Sequence, residues 1–116
     1  MALDQYLAVA YFQCGVSNFL LGEFEEALTN FNDSIACLRG NDAIDYTQLG
    51  LKYKLHFCEA IFNRGLCYIY LQQKHLGMED LRTASSRKAT GQHNVIDEAI
   101  QEEAEVNNHS FSYSVW

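Results

Sequence analysis

Apolar side chains in the first third of the chain recur every three or four residues, which is the spacing of one face of an α-helix. This pattern predicts a helix over about residues 5–21, with Asp4 as its N-cap, and a second helix over residues 24–38. Gly22 lies between the two, where a glycine ends a helix in the left-handed conformation at little steric cost. The acidic residues after Gly22 stabilise the N-terminus of the next helix. A helix–turn–helix unit is therefore predicted.

The same arrangement of small and bulky residues recurs 50 residues further along the chain. Gly65 takes the place of Gly15, and Gly77 takes the place of Ala27, at positions where two antiparallel helices must approach closely. Two more pairs correspond in the same way: Leu81 with Phe31, and Ala84 with Ser34. A unit of about 34 residues with small and aromatic residues at such positions is typical of tetratricopeptide repeats. The alternative is an unrelated helical bundle in which the small residues fall by chance.

The two units are further apart than a simple tandem repeat requires. With a repeat of about 34 residues, the spacing leaves about 16 extra residues, which we place at about 39–54. The insertion opens with turn residues at 40–42 and continues with an alternating, strand-like stretch at 44–47. Apolar residues at helical spacing follow it: Leu51, Leu55, Cys58 and Phe62. We therefore expect a turn or short hairpin that merges into a lengthened third helix over about 51–71, followed by a fourth helix over 74–86.

The C-terminal part of the chain combines an acidic helix with an aromatic tail. The helix is predicted over about residues 94–106 and carries an apolar stripe: Val95, Ile96, Ala99 and Ile100. Such a helix covers the last open face of a helical array as a capping helix. The tail, 107–116, is expected either to dock in the concave groove of the array or to be disordered. The predicted fold is all-α, a tetratricopeptide-repeat array of two repeats with an insertion and a capping helix, in one domain over 1–106.

Composition narrows the classes of function. The chain has 116 residues with a net charge of −7, so it lacks the basic footprint of a nucleic-acid-binding protein and is repelled by anionic lipid. Unbroken apolar stretches such as Tyr6–Phe12 and Leu66–Leu71 are far shorter than the roughly 20 residues that cross a bilayer. The N-terminus has no signal-peptide pattern. We therefore expect a cytoplasmic protein that binds no nucleic acid and does not insert into a membrane.

The residues that most often carry chemistry are scattered. No nucleophile–base pair, phosphate-binding loop or metal-ligand spacing is recognisable. His56 and Cys58 are two positions apart, so on a helix they point to different faces, and the other histidines, His75, His93 and His109, are isolated in sequence. The four cysteines lie among apolar neighbours and are expected to be buried, reduced thiols. The sequence therefore predicts no enzyme, no catalytic or metal-binding residue and no cofactor.

Four short runs stand out within the array: Leu7–Gln13, Leu38–Asn41, Ile44–Tyr46 and Leu49–Leu51. They resemble the tetratricopeptide region of the cytosolic activators of NADPH oxidases, which comprise the large activator subunit of the phagocyte oxidase and its fungal counterpart. Two further runs, Ser17–Gly22 and Asn63–Gln73, look closer to the fungal regulator. The resemblance covers about residues 4–102. An insertion of this sequence between these repeats makes it specific.

The resemblance implies a binding function. In that family the region binds the GTP-loaded form of Rac, a small GTPase, through the insertion and the neighbouring loops rather than through the concave groove. Six positions match the family's contact residues: Arg39, Asn41, Ala43, Asp45, Asp4 and Tyr6. Ala43 stands where the family has a leucine, which should shrink one apolar contact, and Tyr6 stands where it has a histidine. The implied partners are a Rac-type GTPase in its GTP form and, indirectly, a superoxide-generating NADPH oxidase complex.

Residue chemistry alone leaves two roles open for the insertion. Arg39, beside a glycine and an asparagine, offers a five-donor guanidinium to the carboxylate or carbonyl groups of a partner. Alternatively, Arg39 and Asp45 form an internal salt bridge that only shapes the loop.

Two other kinds of interaction are also open. One is that of a general tetratricopeptide adaptor that binds a peptide or a helix in its groove. Repeats that bind a peptide carboxylate need Lys and Asn at groove positions that are apolar here: Phe12, Val16, Phe62 and Leu66. The other is self-association through the first helix, which is apolar on both sides. The family's two preceding repeats and its downstream activation segment find no match in this sequence, so we expect a part of a longer array whose first helix exposes a face.

Overall fold

The computed structural model of the chain describes residues 3–47, 50, 53–88, 91–105 and 115–116, without the side chains of 103–105. Within these residues the protein is an array of five α-helices with one small β-hairpin, so the predicted all-α array is confirmed. The helices are α1 (Leu3–Leu20), α2 (Phe24–Leu38), α3 (Phe57–Tyr70), α4 (Lys74–Ser86) and α5 (Val95–Glu105). Strands β1 (Ala43–Asp45) and β2 (Lys54–His56) lie between α2 and α3, and a 3₁₀ turn (Gly91–Asn94) precedes α5. Because α1 begins before Asp4, this residue lies in the first helical turn and is not the predicted N-cap.

Two helical hairpins, α1 with α2 and α3 with α4, pack side by side through α2 and α3. Small residues lie where the helices of each pair cross, as predicted. A Cβ atom on Gly15 would lie 2.5 Å from the ring of Phe31. A Cβ atom on Gly77 would lie 2.5 Å from Cγ1 of Ile69 and 2.8 Å from the carbonyl oxygen of Gly65. The helices therefore approach too closely for any side chain at these positions.

The two helical hairpins turn with the same backbone hydrogen bonds, 50 residues apart. In the first, the N–H groups of Gly22 and Glu23 donate to carbonyl groups in the last turn of α1, at 2.9 and 2.8 Å. In the second, the N–H groups of Gln72 and Gln73 donate to the corresponding carbonyl groups of α3, at 3.0 and 2.8 Å. Gly22 has a φ of 80° and Gln72 a φ of 66°. Gln72 therefore adopts the same left-handed conformation as Gly22, although it is not a glycine.

A β-hairpin closes the base of the insertion. Strands β1 and β2 pair antiparallel, with Ala43 opposite His56 and Asp45 opposite Lys54. The short-hairpin alternative of the sequence analysis is therefore confirmed for the residues that the structure describes.

The predicted lengthened third helix is wrong, because α3 begins only at Phe57. Residues 54–56 alternate instead, with Leu55 buried between the more exposed Lys54 and His56, which is the pattern of a strand. Residues 54–56 form a strand because their backbone pairs with β1. The spacing of apolar residues along the sequence does not reveal that pairing. Leu51 lies outside the described residues.

The capping helix α5 covers the exposed end of α4, as predicted. Ile96 and Ala99 are fully buried against the array. Lys88 Nζ lies 2.5 Å from Asp97 Oδ2, which ties the end of α4 to α5. Of the tail, the structure describes Val115 and Trp116, and both pack against the core. Among the described helices, none is both long and apolar enough to span a bilayer.

Candidate partner-binding site

The segment around Arg39 leaves α2 in an unusual backbone conformation. Arg39 and Gly40 both have positive φ angles, of 52° and 80°. Hydrogen bonds hold this bend: the Arg39 N–H donates to Ala36 O at 3.2 Å, and both the N–H and the side-chain amide of Asn41 donate to Leu38 O, at 3.0 and 2.8 Å. A non-glycine residue in the left-handed region costs about 1–2 kcal/mol. The direction in which the Arg39 side chain leaves the backbone is therefore set at an energetic cost.

The Arg39 guanidinium pairs with the first turn of α1. Its Nε lies 2.5 Å from Asp4 Oδ2, while 72% of its side-chain surface remains exposed. The structure thus brings together two of the six predicted contact residues, which are 35 positions apart in sequence. The expected salt bridge between Arg39 and Asp45 is not found among the described residues: Arg39 pairs with Asp4, and the Asp45 carboxylate accepts a hydrogen bond from Thr47. A single exposed ion pair contributes about 0–1 kcal/mol, so a partner could replace it readily.

The exit of β1 is also attached to α1. The hydroxyl group of buried Tyr46 donates a hydrogen bond to the carbonyl oxygen of Gln5. The ring of Tyr53 stacks on Tyr46 with ring centroids 5.9 Å apart, and burial raises the pKa of Tyr53 to about 12. These contacts place the insertion and the start of α1 on the same edge of the array.

The other predicted contact residues lie along this edge. The Asp45 side chain is exposed and accepts a hydrogen bond from the Thr47 N–H at 2.9 Å, which lowers the pKa of the carboxyl group. Ala43 is half-buried in β1, whereas Tyr6 is exposed on α1. The edge therefore offers two carboxylates, a guanidinium, an amide and an aromatic ring to a protein surface.

The concave groove is a separate, apolar surface. It has a volume of about 510 Å³, and Phe12 and Val16 line it, as predicted, together with Tyr53 and Glu59. Trp116 also lines it: its ring packs edge-on against Phe62 at 5.0 Å between ring centroids. This result supports docking of the tail for the two tail residues that the structure describes.

One side of α1 is open to solvent. Leu3 is 72% exposed, and Tyr6, Ala10 and Cys14 are exposed on the same side. The prediction that all four cysteines are buried is therefore wrong for Cys14, because no described element covers this side of α1, and Cys37 is only half-buried. Self-association through this side stays a prediction.

One cluster of polar side chains was not predicted from the sequence. His93 is only 1% exposed, and its Nε2 lies 2.8 Å from Glu59 Oε2. His56 lies beside them, with its ring centroid 4.9 Å from that of His93. Desolvation by burial lowers the pKa of His56. Sequence spacing gave no signal, because the fold brings His93 to the start of α3 from 34 residues away.

Comparison with known proteins identifies relatives among oxidase activators. No protein-family model matches the chain. "Neutrophil cytosol factor 2" of Homo sapiens is 36% identical over 98 residues, which cover 84% of this chain and 19% of that protein. "NADPH oxidase activator 1" of Rattus norvegicus is 50% identical over 60 residues, covering 52% of this chain and 14% of that protein. "NADPH oxidase activator" of Dictyostelium discoideum is 40% identical over 63 residues, covering 54% and 10%.

The chain thus spans about a fifth of the length of the first of these relatives. Its match to the human protein covers 84% of the chain. Over this region, the chain belongs to the family of the cytosolic activators of NADPH oxidases.

Proposed function

We propose that this chain is a non-enzymatic tetratricopeptide module that binds a Rac-type small GTPase in its GTP form and so takes part in the regulation of a superoxide-generating NADPH oxidase. Membership of the activator family supports the link to an oxidase. The name of one relative supports a cytoplasmic location. The observation that carries the proposal is the exposed Arg39, held on a strained bend beside Asp4 at the junction of the insertion with α1.

Arg39 holds a left-handed conformation at the end of α2 and is largely exposed there. Glycine would adopt the same left-handed conformation without the penalty, and Gly40 does so at the next position. Strained backbone conformations cluster at functional sites, where the direction of a side chain matters more than its local stability. An arginine in this place therefore supplies a rigidly directed guanidinium, which suits bidentate recognition of a partner's carboxylate or carbonyl groups.

The edge of the array suits such a partner better than the groove does. Trp116 of the chain itself occupies part of the groove, and its backbone N–H donates to Asn63 Oδ1 at 2.9 Å. A peptide in the groove would have to compete with that contact. Among the described residues, the guanidinium at the edge forms an ion pair only with the half-buried Asp4 carboxylate, which a partner would replace. We therefore place the groove-binding adaptor second among the functions.

The test is calorimetry of the chain against Rac loaded with a GTP analogue and with GDP. We expect binding to the GTP form. Arg39→Glu should remove a charge-assisted hydrogen bond of about 1.5–3 kcal/mol, which weakens binding roughly tenfold or more. Equal affinities for the wild type and Arg39→Glu would contradict the proposal.

Two further variants separate binding from folding. Arg39→Gly should raise the melting temperature, because it relieves the left-handed strain, while still weakening binding. Arg82→Glu makes the same charge reversal on the exposed side of α4 and should leave binding unchanged. If Arg82→Glu weakened binding as much as Arg39→Glu, net charge and not a contact at the edge would be the cause.

A further inference from the structure

Three metal-ligand side chains converge where the second helical hairpin meets the capping helix. His56 ends β2, Glu59 lies in the first turn of α3, and His93 lies in the 3₁₀ turn before α5. One ligand atom from each lies within 4.8 Å of the others. The three residues come from three different elements, and the fold alone brings them together.

The geometry around His93 resembles a prepared ligand site. Its Nε2 faces Glu59 Oε2 at 2.8 Å, and its Nδ1 lies 3.3 Å from Cys58 Sγ. The His56 ring lies edge-on to it, at an interplanar angle of 77°. A metal-binding histidine usually has its second ring nitrogen engaged in this way, because that contact fixes the ring and leaves the first nitrogen directed at the ion.

We propose that His56, Glu59 and His93 bind a divalent transition-metal ion, for which zinc is the best match. Zinc commonly binds to sets of two imidazoles and one carboxylate, which offer nitrogen and oxygen donors and no thiolate. With metal–ligand distances near 2.1 Å, the ligand atoms of a tetrahedral zinc site lie about 3.4 Å apart. The separation of 2.8 Å between His93 Nε2 and Glu59 Oε2 is below this value, and all the ligand atoms lie within 4.8 Å of one another, so small side-chain rotations would complete the site.

The ion takes the place of a proton between two atoms that already face each other. Without metal, the His93 Nε2–H donates to the Glu59 carboxylate. With metal, the neutral ring carries its proton on Nδ1, on the side of the Cys58 sulfur, and Nε2 gives its lone pair to the ion. A water molecule would complete a four-coordinate site, and Glu59 also lines the groove.

A bound ion would join the insertion to the cap. His56 lies opposite Ala43 in the β-ladder, so one ligand belongs to the base of the insertion. His93 precedes α5, so another belongs to the capping helix. Metal binding is therefore expected to stabilise both segments together, and it does so independently of any GTPase at the edge.

The experiment uses the full chain, freed of metal with a chelator and titrated with Zn²⁺ by calorimetry. One ion per chain should bind, and the melting temperature should rise with zinc concentration. His56→Phe keeps a ring against His93 but removes a ligand, so affinity should fall more than about tenfold. His56→Gln provides a second test if the phenylalanine disturbs packing. His75→Phe alters an exposed histidine of α4 and should leave affinity unchanged.

The single tryptophan gives a second readout. Its ring centroid lies 5.4 Å from that of His93, so Co²⁺ in the site should quench Trp116 fluorescence in the wild type and in His75→Phe, but not in the His56 variants. Absence of stoichiometric zinc binding would overturn the proposal. Zinc binding of equal affinity in the wild type and in both His56 variants would also overturn it, since the ion would then lie elsewhere.

Discussion

The two helical hairpins share a backbone geometry, but different side-chain contacts hold their helices together. In the first, the ring of Phe31 lies directly on Gly15, and Phe12 packs edge-on against it at 5.8 Å between ring centroids. The hydroxyl group of buried Ser34 donates to the Ala8 carbonyl oxygen at 2.7 Å, which joins the two helices at their far end. Together with the hydrogen bond from the Asn18 amide to Asn30 Oδ1 at 2.7 Å, these neutral contacts hold the first helical hairpin.

In the second helical hairpin a charged pair joins the helices. Arg64 donates from Nε and from a terminal nitrogen to the two oxygens of Asp80, both at 2.8 Å. The hydrogen bonds that Arg64 donates to the Asp80 carboxylate raise the pKa of Arg64. The corresponding residues of the first helical hairpin, 50 positions earlier, are Cys14 and Asn30, which cannot form such a pair. Small residues at the helix crossings thus set the geometry of both helical hairpins, whereas the contacts around the crossings differ between them.

The largest expected effect comes from breaking the charged pair. Arg64→Leu leaves the buried Asp80 carboxylate without its partner and should lower the free energy of unfolding by about 3 kcal/mol. Cys14→Leu, at the corresponding exposed position, should change it by less than about 0.5 kcal/mol. Urea denaturation of the two variants gives both values.

A double variant separates loss of the pair from loss of the buried charge. Arg64→Leu combined with Asp80→Leu should recover most of the lost stability, because two apolar side chains replace two charges. A double variant as unstable as Arg64→Leu alone would show that packing, and not the orphaned carboxylate, causes the loss.

Next in size is the effect of filling the crossing points. An added methyl group at Gly77 meets the backbone carbonyl oxygen of Gly65, which cannot move alone, whereas at Gly15 it meets only the Phe31 ring. Gly77→Ala should therefore destabilise by about 2 kcal/mol and Gly15→Ala by less, after the gain in helix propensity. Gly91→Ala meets no atom within 4 Å and serves as the control in thermal melts.

The smallest effect concerns the two turns. Gln72→Gly should stabilise the protein by about 1 kcal/mol, because Gln72 holds a left-handed φ that glycine adopts freely. Gly22→Gln should destabilise it by a similar amount. Opposite signs for the two substitutions in the same denaturation assay would confirm that the turns are equivalent, and equal signs would contradict it.

The helices could be predicted from the spacing of apolar residues, whereas the strand β2 could not. The bounds of α2 and α4 follow from apolar spacing and from the turns that flank them. The strand at 54–56 did not follow, because Leu55 satisfies helical and strand spacing equally and only its pairing with β1 distinguishes them. Local periodicity cannot report a partner strand that lies elsewhere in the chain.

The candidate sites divide in the same way. The resemblance located Arg39 and Asp4 separately, but their direct contact depends on the packing of α2 against α1. Glu59 and His93 meet only after the 3₁₀ turn folds back on α3, so spacing gave no reason to associate them. Distant residues become visible as a site only when the path of the chain between them is known.

The hairpin at the base of the insertion has a consequence for the configurational entropy of the chain. The Phe57 N–H donates to the Asp42 carbonyl oxygen at 2.7 Å, so a backbone hydrogen bond joins the two ends of the insertion. In a loop closed in this way, each doubling of loop length costs only about 0.6 kcal/mol. The insertion can thus become longer or change its sequence at little cost, which would change the surface presented to a partner. The helices on either side of the insertion would keep their spacing.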